Sequence, residues 1–191
     1  MMKRNFMVLL TAVILCAGLL AGCGGSASSS SQAASSETAS SAASVSGDVK
    51  AGSENGSADL DAIVAQLLEA NPISNQFEIA AMNIEYDFGL AADDVVSYKG
   101  VKSNDNGDAG LVLVIQPADG KSEAICQQLE TYKEDQVAFY GNYAEFAQAQ
   151  SNVENAVISG RDNLVVMVIA SNEASGDINQ AVDDVMNTYA Q

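Results

Sequence analysis

The chain has 191 residues, with 25 acidic side chains against eight basic ones, and it contains neither histidine nor tryptophan. A net charge of -17 argues against binding to nucleic acid or to an anionic membrane surface, because both need Lys and Arg to neutralise phosphates. Without histidine, the chain cannot itself supply a Ser-His-Asp or Cys-His catalytic set or a His-ligated zinc or haem site, which leaves carboxylates, Ser with Lys, Cys126 alone, or no catalysis.

The N-terminus has the features of an export signal with a lipid attachment site. Lys3 and Arg4 precede an apolar run over 6–20 that is short for a membrane-spanning helix. The run ends in a motif that resembles the bacterial lipoprotein lipobox, namely Leu20, Ala21, Gly22 and Cys23. The resemblance implies cleavage before Cys23 after its thiol receives diacylglycerol. We therefore expect 1–22 to be a signal peptide, the alternative being an uncleaved anchor with an incidental cysteine.

Processing would leave a more acidic protein on a flexible tether. Removal of 1–22 takes away two basic residues and no acids, so six basic residues face 25 acidic ones and the net charge becomes -19. Cys16 leaves with the signal and Cys23 becomes a thioether, so Cys126 is the remaining thiol and no intramolecular disulfide can form. Residues 23–57 are rich in Ser, Ala and Gly and have no aromatic residue, which predicts a disordered linker or, alternatively, a glycosylated stalk.

Helical and strand patterns follow each other in residues 58–191, which we predict to be a single domain. Apolar residues at helical spacing predict a helix over 59–70 that Asn71-Pro72 ends. Two β-rich runs, 94–103 and 109–116, flank Asn106-Gly107, and this dipeptide favours the positive φ angles of a type I′ hairpin turn. The remaining predicted elements are a helix at 120–140, a strand pair at 155–159 and 164–170, and a helix at 178–189.

Residues 82–88 allow two interpretations. Apolar residues alternate with polar ones, as in a strand, whereas Phe88-Gly89-Leu90 is equally compatible with the end of a short helical turn. The other elements give the order α-β-β-α-β-β-α. Because hairpins pair antiparallel and helices must cover a sheet face, the sequence predicts an α+β fold. Its architecture would be a two-layer sandwich, with an antiparallel sheet of two hairpins, about four strands, and helices packed on one face.

Four short stretches carry a resemblance to a known family. They are 86–90 followed by Asp93-Asp94-Val95, the strand 111–115 leading to Asp119-Gly120-Lys121, the pair Phe139 and Tyr143, and 154–158 running into Gly160 and 164–169. Over roughly 59–189 the chain resembles small lipoproteins of Gram-positive bacteria whose folded part is a domain of unknown function of the 4358 type. That family usually has a proline soon after the equivalent of Tyr143, where this chain has Ala144-Glu145. The resemblance implies an extracytoplasmic α+β domain and supplies no activity.

One segment concentrates much of the aromatic content of the domain. Its members are Tyr132, Phe139, Tyr140, Tyr143 and Phe146. They are typical of a ligand or peptide platform, since tyrosine offers a large area with a polar tip and is enriched at binding surfaces. The alternative is that a helix C-terminus and the following loop fold these rings over the sheet. If the domain has a binding surface, we place it here.

No catalytic residue, metal site or cofactor is predicted. The acidic loop at 104–108 does not fit an EF-hand, because alignment on Gly107 puts Lys102 first and Leu113 twelfth. Our hypothesis is a non-enzymatic binding or interaction module, held at the extracytoplasmic face of the cell membrane by the lipid on Cys23. Its partner would be an unknown extracytoplasmic protein, peptide or glycan. The alternative is a carboxylate-based accessory enzyme that acts on cell-wall or extracellular material.

Overall fold

The computed structural model describes residues 58–191. The predicted signal peptide, the lipobox with Cys23 and the predicted linker lie outside the described residues and stay predictions. Within 58–191, none of the helices has both the length and the apolar character that a membrane span requires.

The described part of the chain contains four α-helices, five strands and three shorter helical turns. The α-helices are α1 (Leu60–Ala70), α2 (Ser122–Gly141), α3 (Ala147–Glu154) and α4 (Ile178–Tyr189). The strands are β1 (Gln76–Glu78), β2 (Val95–Ser103), β3 (Leu111–Pro117), β4 (Val157–Arg161) and β5 (Leu164–Ile169). The shorter turns are a π-helix at Asn83–Asp87 and 3-10 helices at Ala92–Asp94 and Ala144–Phe146.

Local capping interactions account for the boundaries of α1 and α4, the predicted helices at the two ends of the domain. The Asp59 carboxylate caps α1 by accepting a hydrogen bond from the backbone N–H of Ala62 at 3.1 Å. Asp177 caps α4 in the same way, through the N–H of Gln180 at 3.1 Å. Asn71 ends α1 just before Pro72, whose ring cannot continue a helix.

The five strands form one antiparallel sheet in the order β1-β2-β3-β5-β4. The hairpins β2–β3 and β4–β5 are both present, and they join through β3 and β5, which pair from Leu111↔Ile169 to Ile115↔Val165. The predicted α+β class and its antiparallel sheet built on two hairpins are therefore confirmed. The fifth strand is β1, a three-residue edge strand that is too short to show a periodic pattern.

Helices cover both faces of the sheet, where the prediction placed them on one. Every residue of β5 is buried, and alternate side chains of β3 and β5 point to opposite faces. One face packs against α1 and α4, whose buried side chains include Ile63 and Val185, and the other against α2 and α3, through Leu129 and Val153. An uninterrupted apolar strand needs cover on both sides, so the central hairpin strands require the second layer of helices.

The helical interpretation of 82–88 is confirmed, and the strand interpretation is wrong. Asn83 stabilises the π-helix at both ends, because its Oδ1 accepts from Ala80 N–H at 2.8 Å and its Nδ2 donates to Asp87 at 2.9 Å. Ile84 and Phe88 are buried while Tyr86, which a strand would place on their face, is 74% exposed. A four-residue spacing of buried positions is typical of a helix.

The loop between β2 and β3 is longer than a two-residue hairpin turn. The strands end at Ser103 and resume at Leu111, and Gly107 lies in the loop with a φ of 79°. The Asp108 carboxylate accepts hydrogen bonds from the N–H groups of Gly110 and Asn172, both at 3.0 Å. The bond from Gly110 lies within the loop, and the bond from Asn172 ties the loop to the segment after β5, so a tertiary contact contributes to its shape.

Candidate functional site

The C-terminal end of α2 and the chain just after it bring four aromatic rings together. The distances between ring centroids are 5.2 Å for Phe139–Tyr140, 5.9 Å for Phe139–Tyr143, 5.9 Å for Tyr140–Phe146 and 5.5 Å for Tyr143–Phe146. Each ring contacts two others, so the four close a cycle. We refer to Phe139, Tyr140, Tyr143 and Phe146 as the aromatic cluster.

Backbone hydrogen bonds at the end of α2 produce this arrangement. The N–H of Asn142 donates to Phe139 O at 3.3 Å, and the N–H of Tyr143 donates to Tyr140 O at 3.1 Å. The Asn142 side chain also donates to Ala138 O at 2.8 Å, which satisfies one of the last carbonyls of the helix. A 3-10 turn then leads into α3, with Phe146 N–H donating to Tyr143 O at 3.0 Å. The chain thereby reverses direction and places residues 143 and 146 beside 139 and 140.

The rings of the predicted surface differ in how far solvent reaches them. Phe139 is 50% exposed and Tyr143 is 45% exposed, whereas Tyr140 and Phe146 are partly buried. Burial, together with the neighbouring Asp108 carboxylate, raises the pKa of Tyr140 above its ordinary value. The cluster therefore has an inner side that packs on the domain and an outer side that faces solvent.

Tyr132 is not one of the four rings that contact each other in the cluster, and it packs inward. Its ring centroid is 4.6 Å from that of Phe88, the buried residue that follows the π-helix. Burial is the main cause that raises the pKa of Tyr132, and Tyr140 and Asp87 add to the effect. Of the five predicted residues, the structure thus brings four into one cluster and leaves Tyr132 partly buried against the core.

A cavity of ≈150 Å³ adjoins the cluster between the β2–β3 loop and α2. Its polar lining includes Lys102, Ser103, Asp108 and Gln136, and Tyr132 and Tyr140 form part of its wall. This volume is smaller than the roughly 300 Å³ at which small-molecule sites begin. The cavity is therefore large enough for a side chain or a few water molecules and too small for a substrate cleft.

The positive charge of Lys102, which lines the cavity, is paired with a carboxylate. Its Nζ lies 3.2 Å from Asp87 Oδ2 and 5.2 Å from the centroid of the Phe77 ring. Burial raises the pKa of Asp87, but hydrogen bonds from Asn83 and Lys102 outweigh it and leave this pKa below its ordinary value. The pair consequently stays ionised at neutral pH, and its lysine is held by a carboxylate and an aromatic face.

The cavity lacks the carboxylate pair that glycoside hydrolysis requires. Asp108 is the single acid among its lining residues, and its Oδ1 already accepts two backbone hydrogen bonds. A retaining or inverting mechanism needs a second carboxyl group across the scissile bond. Elsewhere in 58–191, no group of three or more Cys, Asp or Glu side chains is arranged to hold a metal ion.

The prediction from sequence missed the polar residues of the cavity. Gln136 was accessible to sequence reasoning, because Tyr132, Gln136 and Tyr140 follow one another at four-residue spacing on a single face of α2. Lys102 and Asp108 carry no such signal. They reach the cavity because the β2–β3 hairpin lies beside α2, and that placement is a property of the tertiary structure.

Comparison with known proteins identifies the family. Residues 70–170 match the family model described as a domain of unknown function, DUF4358. The chain belongs to the DUF4358 family. The matched region extends from the end of α1 past the end of β5, so this DUF4358 domain includes the whole sheet, the aromatic cluster and the cavity. A search of curated proteins found no match, and a search of solved structures found none.

Proposed function

We propose that this DUF4358 protein is a lipoprotein of the Gram-positive type, anchored at the extracytoplasmic face of the cell membrane through Cys23. In this proposal the protein is a non-enzymatic binding module, and the aromatic cluster is its binding surface. The lipobox and the Ser-, Ala- and Gly-rich linker support the anchoring. The observation that carries the binding role is the pair of half-exposed rings, Phe139 and Tyr143, held in contact with two partly buried rings.

Such a cluster suits binding because its geometry exists before the partner arrives. Ring contacts fix the orientation of Phe139 and Tyr143, so little side-chain entropy would be lost on association. Covering these exposed rings removes apolar surface from water, which favours the bound state. Aromatic residues in such positions commonly dominate the energy of an interface.

The structure offers less support for the enzyme alternative. The cavity beside the cluster is small, and its single carboxylate accepts hydrogen bonds from two backbone N–H groups. A catalytic acid or base must be free to exchange a proton with a substrate within hydrogen-bond reach. Asp108 therefore fits a structural role better than a catalytic one.

The anchoring is tested by the Cys23→Ser variant of the full chain. We expect metabolic palmitate labelling of the unmodified protein in the membrane fraction and neither labelling nor membrane retention for the variant. As a control, the total amounts of the unmodified protein and of the variant in the cell should be equal. Unchanged membrane retention of Cys23→Ser would defeat the lipid-anchor proposal.

The binding role is tested by site-specific crosslinking in the native cell. A photoreactive amino acid at Tyr143 probes the cluster, and the same group at Val96 is the matched control. Val96 is 55% exposed and lies six residues before Lys102 in β2, so it is about 20 Å from the cavity end of that strand. We expect a discrete adduct from position 143 that Phe139→Ser removes. Identical adducts from both positions, or none from 143, would refute the proposal.

A further inference from the structure

We infer that the partner of the aromatic cluster is a basic peptide segment, which contacts the half-exposed rings with lysine or arginine side chains. This inference rests on the proposed function, because it names the chemistry of the partner at the same surface. It follows from the negative charges near the cluster and from the salt bridges that already occupy the lysines of the domain. It also follows from the contact of Lys102 with the Phe77 ring and Asp87 elsewhere in the domain.

Three carboxylates lie near the rings of the cluster, two of them close along the chain and one beside Tyr140. Asp135 precedes Phe139 by four residues in α2 and therefore lies on the same face of that helix. Glu145 lies between Tyr143 and Phe146 in the 3-10 turn, and both Asp135 and Glu145 are exposed. Asp108 is close enough to Tyr140 to raise the pKa of its hydroxyl together with burial. A ligand on this surface would meet negative charge next to apolar rings.

The described chain does not supply bases that neutralise this charge. Its four lysines pair with other carboxylates, namely Lys99 with Asp61 and Glu78, Lys102 with Asp87, Lys121 with Asp94, and Lys133 with Glu130. Arg161 instead donates to Met186 O and to the Asn187 side chain, at 3.1 Å each. Among residues 58–191, neither Asp135 nor Glu145 takes part in a salt bridge. A cation that complements this surface would therefore come from outside the described domain.

Aromatic faces attract cations directly, which distinguishes this surface from a merely acidic one. A ring carries negative potential on its face, so an ammonium or guanidinium group within about 6 Å of the ring centre is stabilised. The domain already contains such a contact, in which Lys102 Nζ lies 5.2 Å from the Phe77 ring and 3.2 Å from Asp87. Phe139 has the exposed Asp135 four residues before it on α2, and Tyr143 has the exposed Glu145 two residues after it, so each half-exposed ring has an exposed carboxylate close to it along the chain.

Charge also argues against other occupants of the surface. Residues 58–191 hold 22 acidic side chains against five basic ones, so an anionic lipid surface or polyanion would be repelled. A second copy of the chain would place the same carboxylates opposite each other, which is unfavourable across an interface. A neutral glycan would stack on the rings without using the carboxylates, and the experiment below separates it from a basic peptide.

The experiment measures binding of dye-labelled octapeptides to the full-length protein in neutral detergent, by fluorescence anisotropy. The first peptide alternates lysine and serine, and its matched controls carry glutamine or glutamate in place of lysine. We expect saturable binding of the lysine peptide that weakens as salt rises, because exposed charge contacts are screened. We expect the glutamine and glutamate peptides to bind at least tenfold more weakly.

Two double variants and a control locate the contact. Phe139→Ser with Tyr143→Ser removes both exposed rings and should weaken lysine-peptide binding by about tenfold. Asp135→Asn with Glu145→Gln removes two exposed charges and should weaken it about threefold to tenfold. Asp183→Asn with Glu69→Gln removes one Asp and one Glu, both exposed, from α4 and α1, which cover the opposite face of the sheet from α2. This control should change the affinity less than twofold.

Two of the possible contrary results would overturn the inference alone, and a third would overturn the proposed function. Equal binding of the lysine and glutamine peptides, lost on removal of the rings, would overturn the basic-peptide inference and leave the proposed binding surface intact. An equal loss in the charge variant and the control variant would show general attraction to an acidic protein and would also overturn the inference. Unchanged binding after removal of both rings, with the fold verified by circular dichroism, would overturn the proposed function itself.

Discussion

Replacement of Gly160 by alanine tests how closely helix α2 packs against the edge strand β4. A β-carbon at this position would lie 2.5 Å from Cys126 Sγ, 2.9 Å from Ser122 Oγ and 3.3 Å from Val165 Cγ2. Non-bonded carbon contacts are favourable at about 3.5–4.0 Å, so the new methyl group would overlap the sulfur by roughly 1 Å. The Ser122 hydroxyl can rotate away, whereas Cys126 is half-buried between α2 and the sheet. We expect Gly160→Ala to lower the free energy of unfolding by about 2 kcal/mol, within the range for overpacking.

Removal of the sulfur should rescue much of this loss. In the double variant with Cys126→Ala, the added methyl group occupies space that Sγ vacates, so the alanine at 160 should cost less than about 1 kcal/mol. The resulting coupling of at least about 1 kcal/mol is expected for residues in direct contact. Gly141→Ala is a matched control, because its β-carbon would meet only Gln150, at 3.4 Å or more, and alanine favours a helix.

Urea unfolding followed by far-UV circular dichroism measures Gly160→Ala, Cys126→Ala, the double variant and Gly141→Ala against the unmodified protein. The expected order places Gly141→Ala at or above the unmodified protein, the double variant below it, and Gly160→Ala lowest. A Gly160→Ala protein as stable as the unmodified one would refute the close packing. A loss that Cys126→Ala does not reduce would show that the sulfur is not its cause.

Three further tests concern the buried amide of Asn71, the loss of stability at low pH through Asp87, and the free thiol of Cys126. Asn71→Ala removes a buried side chain that donates to Ile169 O at 2.9 Å and accepts from Ser171 N–H at 2.8 Å, so urea unfolding should show a loss of about 2–4 kcal/mol, and a smaller one would contradict the role of these bonds. Burial of the Asp87 carboxyl raises its pKa, but hydrogen bonds from Asn83 and Lys102 outweigh burial and leave the pKa below its ordinary value of 3.8. The ionised carboxylate therefore stabilises the folded protein above pH 3.8, and this contribution is lost as pH falls through the folded-state pKa. Melting temperatures between pH 5 and pH 2 should therefore fall less steeply for Asp87→Asn, and identical slopes would argue against the effect. Burial, followed by nearby carboxylates, raises the pKa of the Cys126 thiol, so iodoacetamide should react more slowly at pH 7 with the folded chain than with the chain in urea, and equal rates would contradict this.

Local patterns were sufficient for the helices and hairpins with clear signals. The helix predicted over 59–70 is α1, because an N-terminal carboxylate and a following Asn-Pro define its ends within a few residues. The same patterns did not distinguish a strand from a helix over 82–88. An apolar residue at every second position is compatible with a strand, and it also includes the four-residue spacing that is typical of a helix. Burial of Phe88 against Tyr132, which lies 44 positions further along the chain, decides between them.

The sequence predicted which aromatic residues could form the candidate surface but not how their rings are arranged. Aromatic density alone singled out the segment from Tyr132 to Phe146. The exposure of Phe139 and the inward packing of Tyr132 depend on which side of α2 faces the sheet, and neighbouring elements determine that orientation. The cavity likewise needs Asp108 beside Tyr140, a contact between two separate elements.

By itself, the sequence determined the properties that depend on residue type or on short spacing. These are the acidic charge, the absence of histidine chemistry, the antiparallel hairpins and the α+β class. Only the tertiary structure decided that helices cover both faces of the sheet, that 83–87 is helical, and which rings of the aromatic segment face solvent. The physical reason is that capping and periodicity act within a few residues, whereas burial depends on surfaces that folding brings together from distant parts of the chain.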